Sequence, residues 1–101
     1  MRWYEWDPAK AASNLIKHGV RFEVAARAFD DPNVLTIFDR IERGEERWQT
    51  IGDAGGRLLA FVAHTEEDDE GDEIIRIISA RRANRRERMR YEAAIRSRHG
   101  Y

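Results

Sequence analysis

Apolar and polar positions change period several times along the chain, and each change marks an element. Residues 2–6, Arg-Trp-Tyr-Glu-Trp, alternate and are rich in aromatics, which predicts a short strand. Asp7-Pro8 follows, an N-cap residue and then a proline at the first helical position, where its missing N–H costs nothing. Ala11, Ala12, Leu15 and Ile16 then recur at helical spacing, and Gly19 supplies a stop that takes a positive φ, so a helix is expected from Pro8 to about His18. Lys10, Asn14, Lys17 and His18 fall on its other, polar face. Phe22, Ala25, Ala26 and Phe29 repeat the helical spacing and predict a second helix from about Arg21 to Phe29, ended by Asp30-Asp31-Pro32-Asn33.

From there the period is two. Val34–Asp39, Arg47–Gly52, Arg57–Thr65 and Ile74–Ala80 are strand candidates, with Gly55-Gly56 as a turn. Leu58–Ala63 is almost continuously apolar, as befits a central strand covered on both faces. Residues 66–73 hold seven acids in eight positions and predict an exposed hairpin loop. Asn84 and Glu87 have the spacing of a capping box, opening a helix to about Arg98 with Tyr91, Ala94 and Ile95 as its apolar stripe and Met89 and Ala93 beside it. The order strand, two helices, four strands, helix predicts an α+β domain: a mostly antiparallel sheet of about five strands with two N-terminal helices and one C-terminal helix, spanning residues 1–101 as one unit. Three helices are scant cover for five strands, so an exposed apolar patch for a partner or for self-association is expected.

Composition narrows the chemistry. The chain has 101 residues, 42% hydrophobic and 37% charged, with no apolar run near the ~20 residues that span a bilayer and no signal-peptide core; a cytoplasmic protein without membrane contact is expected. It has no cysteine, which removes disulfides, thiolate nucleophiles and Cys-based metal sites. No phosphate-cradling glycine loop, HExxH or nucleophile elbow is present, and the acidic loop lacks the ligand spacing of a calcium site, so neither metal nor cofactor is expected. Trp3, Trp6 and Trp48 are expected to pack the core, while His64 fits a core or a rim position and His99 falls in the C-terminal tail.

The net charge of −1 conceals a division. Residues 1–75 carry 9 Lys and Arg against 17 Asp and Glu, a net of −8; residues 76–101 carry 9 Arg against 2 Glu, a net of +7. Sixteen of the 18 cations are Arg, whose planar fork pairs with phosphate in two places. Arg81 and Arg82 stand just ahead of the last helix, with Arg85 and Arg88 at i+4 and i+7 from Arg81. Cations at a helix N-terminus oppose its dipole, which points to a compensating anion: a phosphate backbone, or carboxylates from the acidic half of the chain.

Several segments together resemble the BrnT family of bacterial type II toxins. They are Glu5-Trp6-Asp7-Pro8 with Lys10 and Asn14; Lys17-His18-Gly19-Val20 with Phe22-Glu23 and Phe29-Asp30-Asp31; Glu45-Glu46-Arg47 leading to Ile51-Gly52; and Ile78-Ser79-Ala80-Arg81-Arg82-Ala83 with Glu87-Arg88 and Tyr91-Glu92. The resemblance spans roughly residues 4–92 and departs from the family at the long acidic segment 66–73. It implies a RelE-like ribonuclease fold, RNA cleavage that inhibits translation, and neutralisation by a BrnA-type antitoxin in a heterotetramer that binds operator DNA through the antitoxin. The resemblance further implies His18 or Glu46 as base, His18, Lys17 or Tyr91 as acid, and Arg81, Arg82 and Arg85 as charge stabilisers, with Lys10, Lys17, Arg47, Arg85 and Arg88 as RNA-binding residues. The competing reading is a non-enzymatic module that docks nucleic acid or an acidic protein on the Arg-rich helix.

Overall fold

The computed structural model describes residues 1–100. Its elements are β1 (Arg2–Glu5), α1 (Pro8–His18), α2 (Phe22–Ala25), a 3-10 segment (Ala26–Asp30), β2 (Leu35–Glu42), β3 (Glu45–Asp53), β4 (Leu59–Asp69), β5 (Asp72–Arg82) and α3 (Arg85–Arg98). The five strands form one sheet in the order β1-β5-β4-β3-β2. Strands β2 to β5 pair antiparallel through successive hairpins, whereas β1 lies parallel to β5, so the sheet is mixed. The central position of β4 agrees with its apolar run.

Local signals placed α1 well. Asp7 accepts the backbone N–H of Ala9 at 2.8 Å, and Gly19, at φ 72°, closes the helix with its N–H on the Leu15 carbonyl. The second helix is shorter than its periodicity predicts: one α turn tightens into the 3-10 segment, which keeps Phe22, Ala25, Ala28 and Phe29 inward. The acidic loop is corrected too. Strands β4 and β5 run through it to a two-residue turn at Glu70-Gly71, both at positive φ, and the acids decorate paired strands.

The core has two parts on opposite faces, as alternation along β4 shows: Ala60 and Val62 point one way, Leu59 and Phe61 the other. The larger part gathers Val20, Phe22, Ala25, Ala28 and Phe29 over Ile75, Ile77 and Ala80; the smaller sets Tyr91 and Ile95 of α3 against Ile51, Leu59 and Phe61. His64 belongs to the core, fully buried with its Nε2 2.7 Å from the Thr50 hydroxyl and its ring edge-on to Phe29. Trp6 packs on Phe22 against the larger core part, but of the other two tryptophans expected inside, Trp48 is partly buried on the exposed Phe38, outside both core parts, and Trp3 is half exposed on the edge strand. Among the described residues, Met1, Trp3, Ile16, Phe38, Ile41 and Met89 are exposed large apolar side chains; Phe38 and Ile41 share one face of β2, where Phe38 meets Trp48, while Ile16 and Met89 stand on α1 and α3.

Asn14 overturns the polar face assigned to α1. It is buried, and Ile16 on the supposed apolar stripe is 88% exposed. The reason lies in the sheet. Pairing of β1 to β5 ends at Arg76, which leaves the edge of β5 beyond it open. Asn14 fills that gap, accepting the Ala80 N–H on Oδ1 at 3.1 Å and donating from Nδ2 to the carbonyls of Ala80 and Val20 at 2.8 and 3.0 Å. One side-chain amide does there what a neighbouring strand would do.

Candidate active-site groove

Docking α1 on the β5 edge creates a groove of about 330 Å³. Lys10, Ser13, Asn14, Lys17 and His18 form the helix side, and Ile78 and Ser79 form the strand side. A β-bulge shapes that strand side. Ala63 pairs with Ser79 but the next residue, His64, pairs with Ile77, so Ile78 is an extra residue that turns the strand locally. Among the described residues, the lining holds two lysines and a histidine and no carboxylate. Lys10, Lys17 and His18 are all exposed, and Lys17 and His18 sit in the last turn of α1, where positive charge complements the helix dipole.

Farther along β5 lies the Arg corner. Arg81 is committed: its terminal nitrogens reach both Glu87 oxygens at 2.8 and 2.9 Å, and its guanidinium lies over the Phe61 ring at 4.3 Å. Glu87 also completes the capping box with Asn84, so one buried carboxylate fixes both the strand end and the start of α3. Burial alone would raise the Glu87 pKa, but Arg81 and the Asn84 N–H outweigh it and hold the carboxylate below its ordinary range. Arg82 is exposed, with Nη1 on the Arg57 carbonyl at 3.2 Å, and Arg85 and Arg88 project from the first turns of α3.

Tyr91 has another partner. Its hydroxyl donates to Asp31, which also accepts the backbone N–H groups of Asn33 at 2.8 Å and Asp53 at 2.7 Å. Burial, then the adjacent Asp31 carboxylate, pushes the Tyr91 pKa well up, which makes it a tether for α3 and a poor proton donor. Asp31 feels burial first, yet the Asp53 N–H and the Tyr91 hydroxyl hold it below its ordinary value.

Glu46 and Arg47 lie apart from both places. Glu46 shares a cavity with Trp48, Glu66, Glu67, Asp68 and Glu73, where burial, then repulsion from Glu73, raises the Glu66 pKa; a phosphate is unwelcome there. Arg47 is turned to Glu42 and Glu45, at 3.5 and 3.6 Å. The structure therefore joins Lys10, Lys17 and His18 in one groove, and Arg81, Arg82, Arg85, Arg88 and Tyr91 around the β5–α3 junction. Sequence spacing missed Asn14, Ser79 and Arg57; the polar Asn14 beneath a basic helix face carried no mark of its inward turn, and the bulge at Ile78 arises only from pairing with β4. Among the described residues, no group of three or more His, Asp or Glu side chains is arranged to hold a metal ion, and no helix is long and apolar enough to cross a membrane.

Comparison with known proteins bears on this geometry. The family model described as the ribonuclease toxin, BrnT, of type II toxin-antitoxin systems matches residues 6–87. The crystal structure of the Brucella abortus ribonuclease toxin BrnT superposes with a TM-score of 0.57 at 22% identity, over 84% of this chain and 99% of that one, and supports the fold. A zebrafish (Danio rerio) protein, B-cell CLL/lymphoma 7 protein family member B-B, is 40% identical over 48 residues, 46% of this chain. The chain spans only about a quarter of that relative's length, 24%, and the short match carries no family assignment.

Proposed function

Because this chain belongs to the BrnT family, the ribonuclease toxins of type II toxin-antitoxin systems, we propose that it is a cytoplasmic, metal-independent endoribonuclease with a RelE-like arrangement that cleaves RNA in the α1–β5 groove and so inhibits translation. The observation that carries this reading is the groove lining: Lys10, Lys17 and His18 face Ser79 with no carboxylate among them. A phosphorane dianion developing at phosphorus needs cations close by, and an imidazole can accept a proton and give it back. His18 removes the 2′-hydroxyl proton, O2′ attacks the adjacent phosphorus, and the P–O5′ bond breaks. Lys17 or the His18 imidazolium then protonates the departing 5′-oxygen, leaving a 2′,3′-cyclic phosphate and a 5′-hydroxyl. Lys10 and Lys17 stabilise the charge between. Arg81 shapes the corner through Glu87, and Arg82, Arg85 and Arg88 bind the strand. Glu46, in its acidic cavity, is the weaker candidate for the base.

A BrnA-type antitoxin neutralises the enzyme in this reading, in a heterotetramer that reaches operator DNA through the antitoxin. The test incubates the protein with a defined mRNA in EDTA and maps the product ends. Cyclic-phosphate ends that disappear with His18→Ala support the groove; cleavage undiminished in His18→Ala overturns its role. Salt-sensitive RNA binding without cleavage, with or without ribosomes, favours the non-enzymatic module on the Arg-rich helix.

A further inference from the structure

A second cationic place lies beyond the groove. The β3–β4 turn, the end of β5 and the first turns of α3 bring Arg57, Arg82 and Arg88 together: Arg82 donates to the Arg57 carbonyl at 3.2 Å, and Arg57 and Arg88 line one cavity of about 340 Å³ with Asp53, Leu58, Leu59 and Tyr91. Arg2, Arg40, Arg47, Arg76 and Arg81 each have a carboxylate within 4 Å, whereas among the described residues these three exposed arginines have none. Among the described residues, Asp53 is the one acid lining the cavity, and one of its oxygens accepts the Gly55 N–H at 2.7 Å. Gathering like charges is unfavourable unless an anion joins them, and planar guanidiniums suit phosphate oxygens.

We propose that Arg57, Arg82 and Arg88 hold a backbone phosphate of the RNA strand outside the cleavage groove. The inference rests on the reading above that the substrate is RNA. Arg82 stands three residues beyond Ser79 on β5, about 10 Å along the strand, so one RNA chain reaches both places. Arg57 is the new member, and its backbone offers a clean test. It holds φ 67°, a conformation glycine takes freely, so Arg57→Gly removes the guanidinium while relaxing the turn. Arg43, at φ 52° in the β2–β3 turn, supplies a control with the same change in charge and backbone preference: Arg43→Gly.

The experiment measures binding of a single-stranded RNA made uncleavable by 2′-O-methylation over a salt series, alongside cleavage of the unmodified RNA. Arg57→Gly is expected to weaken binding several-fold at low salt and to lower the slope of log K against log salt by about 0.7, the value of one phosphate contact, while Arg43→Gly matches the parent and both melt no lower than it. Cleavage-competent protein whose Arg57→Gly and Arg43→Gly variants share the parent slope overturns the inference alone. A parent protein that neither binds nor cleaves RNA overturns the ribonuclease reading and this site with it.

Discussion

His64 stays neutral inside the protein because burial lowers its pKa from 6.5 to about 4, with the Thr65 carbonyl opposing only in part. Above pH 6.5 neither folded nor unfolded chain carries this charge. Between 6.5 and 4 the unfolded chain takes up a proton that the folded one refuses, so stability falls as the pH falls, by about 3 kcal/mol at the lower limit. From about pH 4.5 downward, the unfolded chain protonates Glu87 and then, below 3.8, Asp31 before the folded one does, and the stabilisation held by these two lowered carboxylates is lost as well. Urea denaturation across this range should show the loss, and His64→Gln should flatten it between pH 6.5 and 4. Asn14 supports a second prediction at this scale. Asn14→Ala strands the N–H and C=O of Ala80, and the Ala80 amide should lose protection against hydrogen exchange while the paired amides of β4 keep theirs. Neither burial was legible in the chain. Each of these polar residues stands among sequence neighbours that fit a surface as well as a core, and its partner lies 14 residues away for His64 and 66 for Asn14.

Elements were more legible where their signals are local. The Asp7-Pro8 start, the Gly19 stop and the Asn84–Glu87 box are settled by neighbours within one turn, and α1 and α3 stand where these place them. Strand lengths were not, because the acids at 66–69 and 72–73 pair through backbone groups that any side chain supplies. Gly52 shows a further limit. A strand glycine usually weakens its strand, yet here it lets the 3-10 segment approach: a Cβ at this position would sit 2.3 Å from the Ala28 carbonyl oxygen. Backbone has little room to yield, so Gly52→Ala is expected to cost stability toward the upper end of about 1–3 kcal/mol, read as a lower urea midpoint. The neighbouring strand position Asp53, which is exposed, should tolerate Asp53→Asn far better in the same assay.

Over the whole molecule, charge is divided by place as well as by sequence, with the acids at the β4–β5 hairpin and the arginines on α3. The acidic end repels an approaching polyanion. Replacing Glu66, Glu67, Asp68 and Asp69 by Gln and Asn should speed RNA association several-fold in dilute salt with little change in dissociation, and the gain should vanish near 1 M salt, where charges are screened beyond about 3 Å. Stopped-flow binding separates these rates. The same global view gives the dockings their meaning. The groove has its helix wall at residues 10–18 and its strand wall at 78–79, joined by the Asn14 amide across the open edge of β5. Nascent chain emerges N-terminus first, so α1 waits for its other wall until β5 has cleared the ribosome. A message cut or abandoned before that codon yields a fragment with one wall and no groove, so the groove exists only in chains that carry β5 through Arg82.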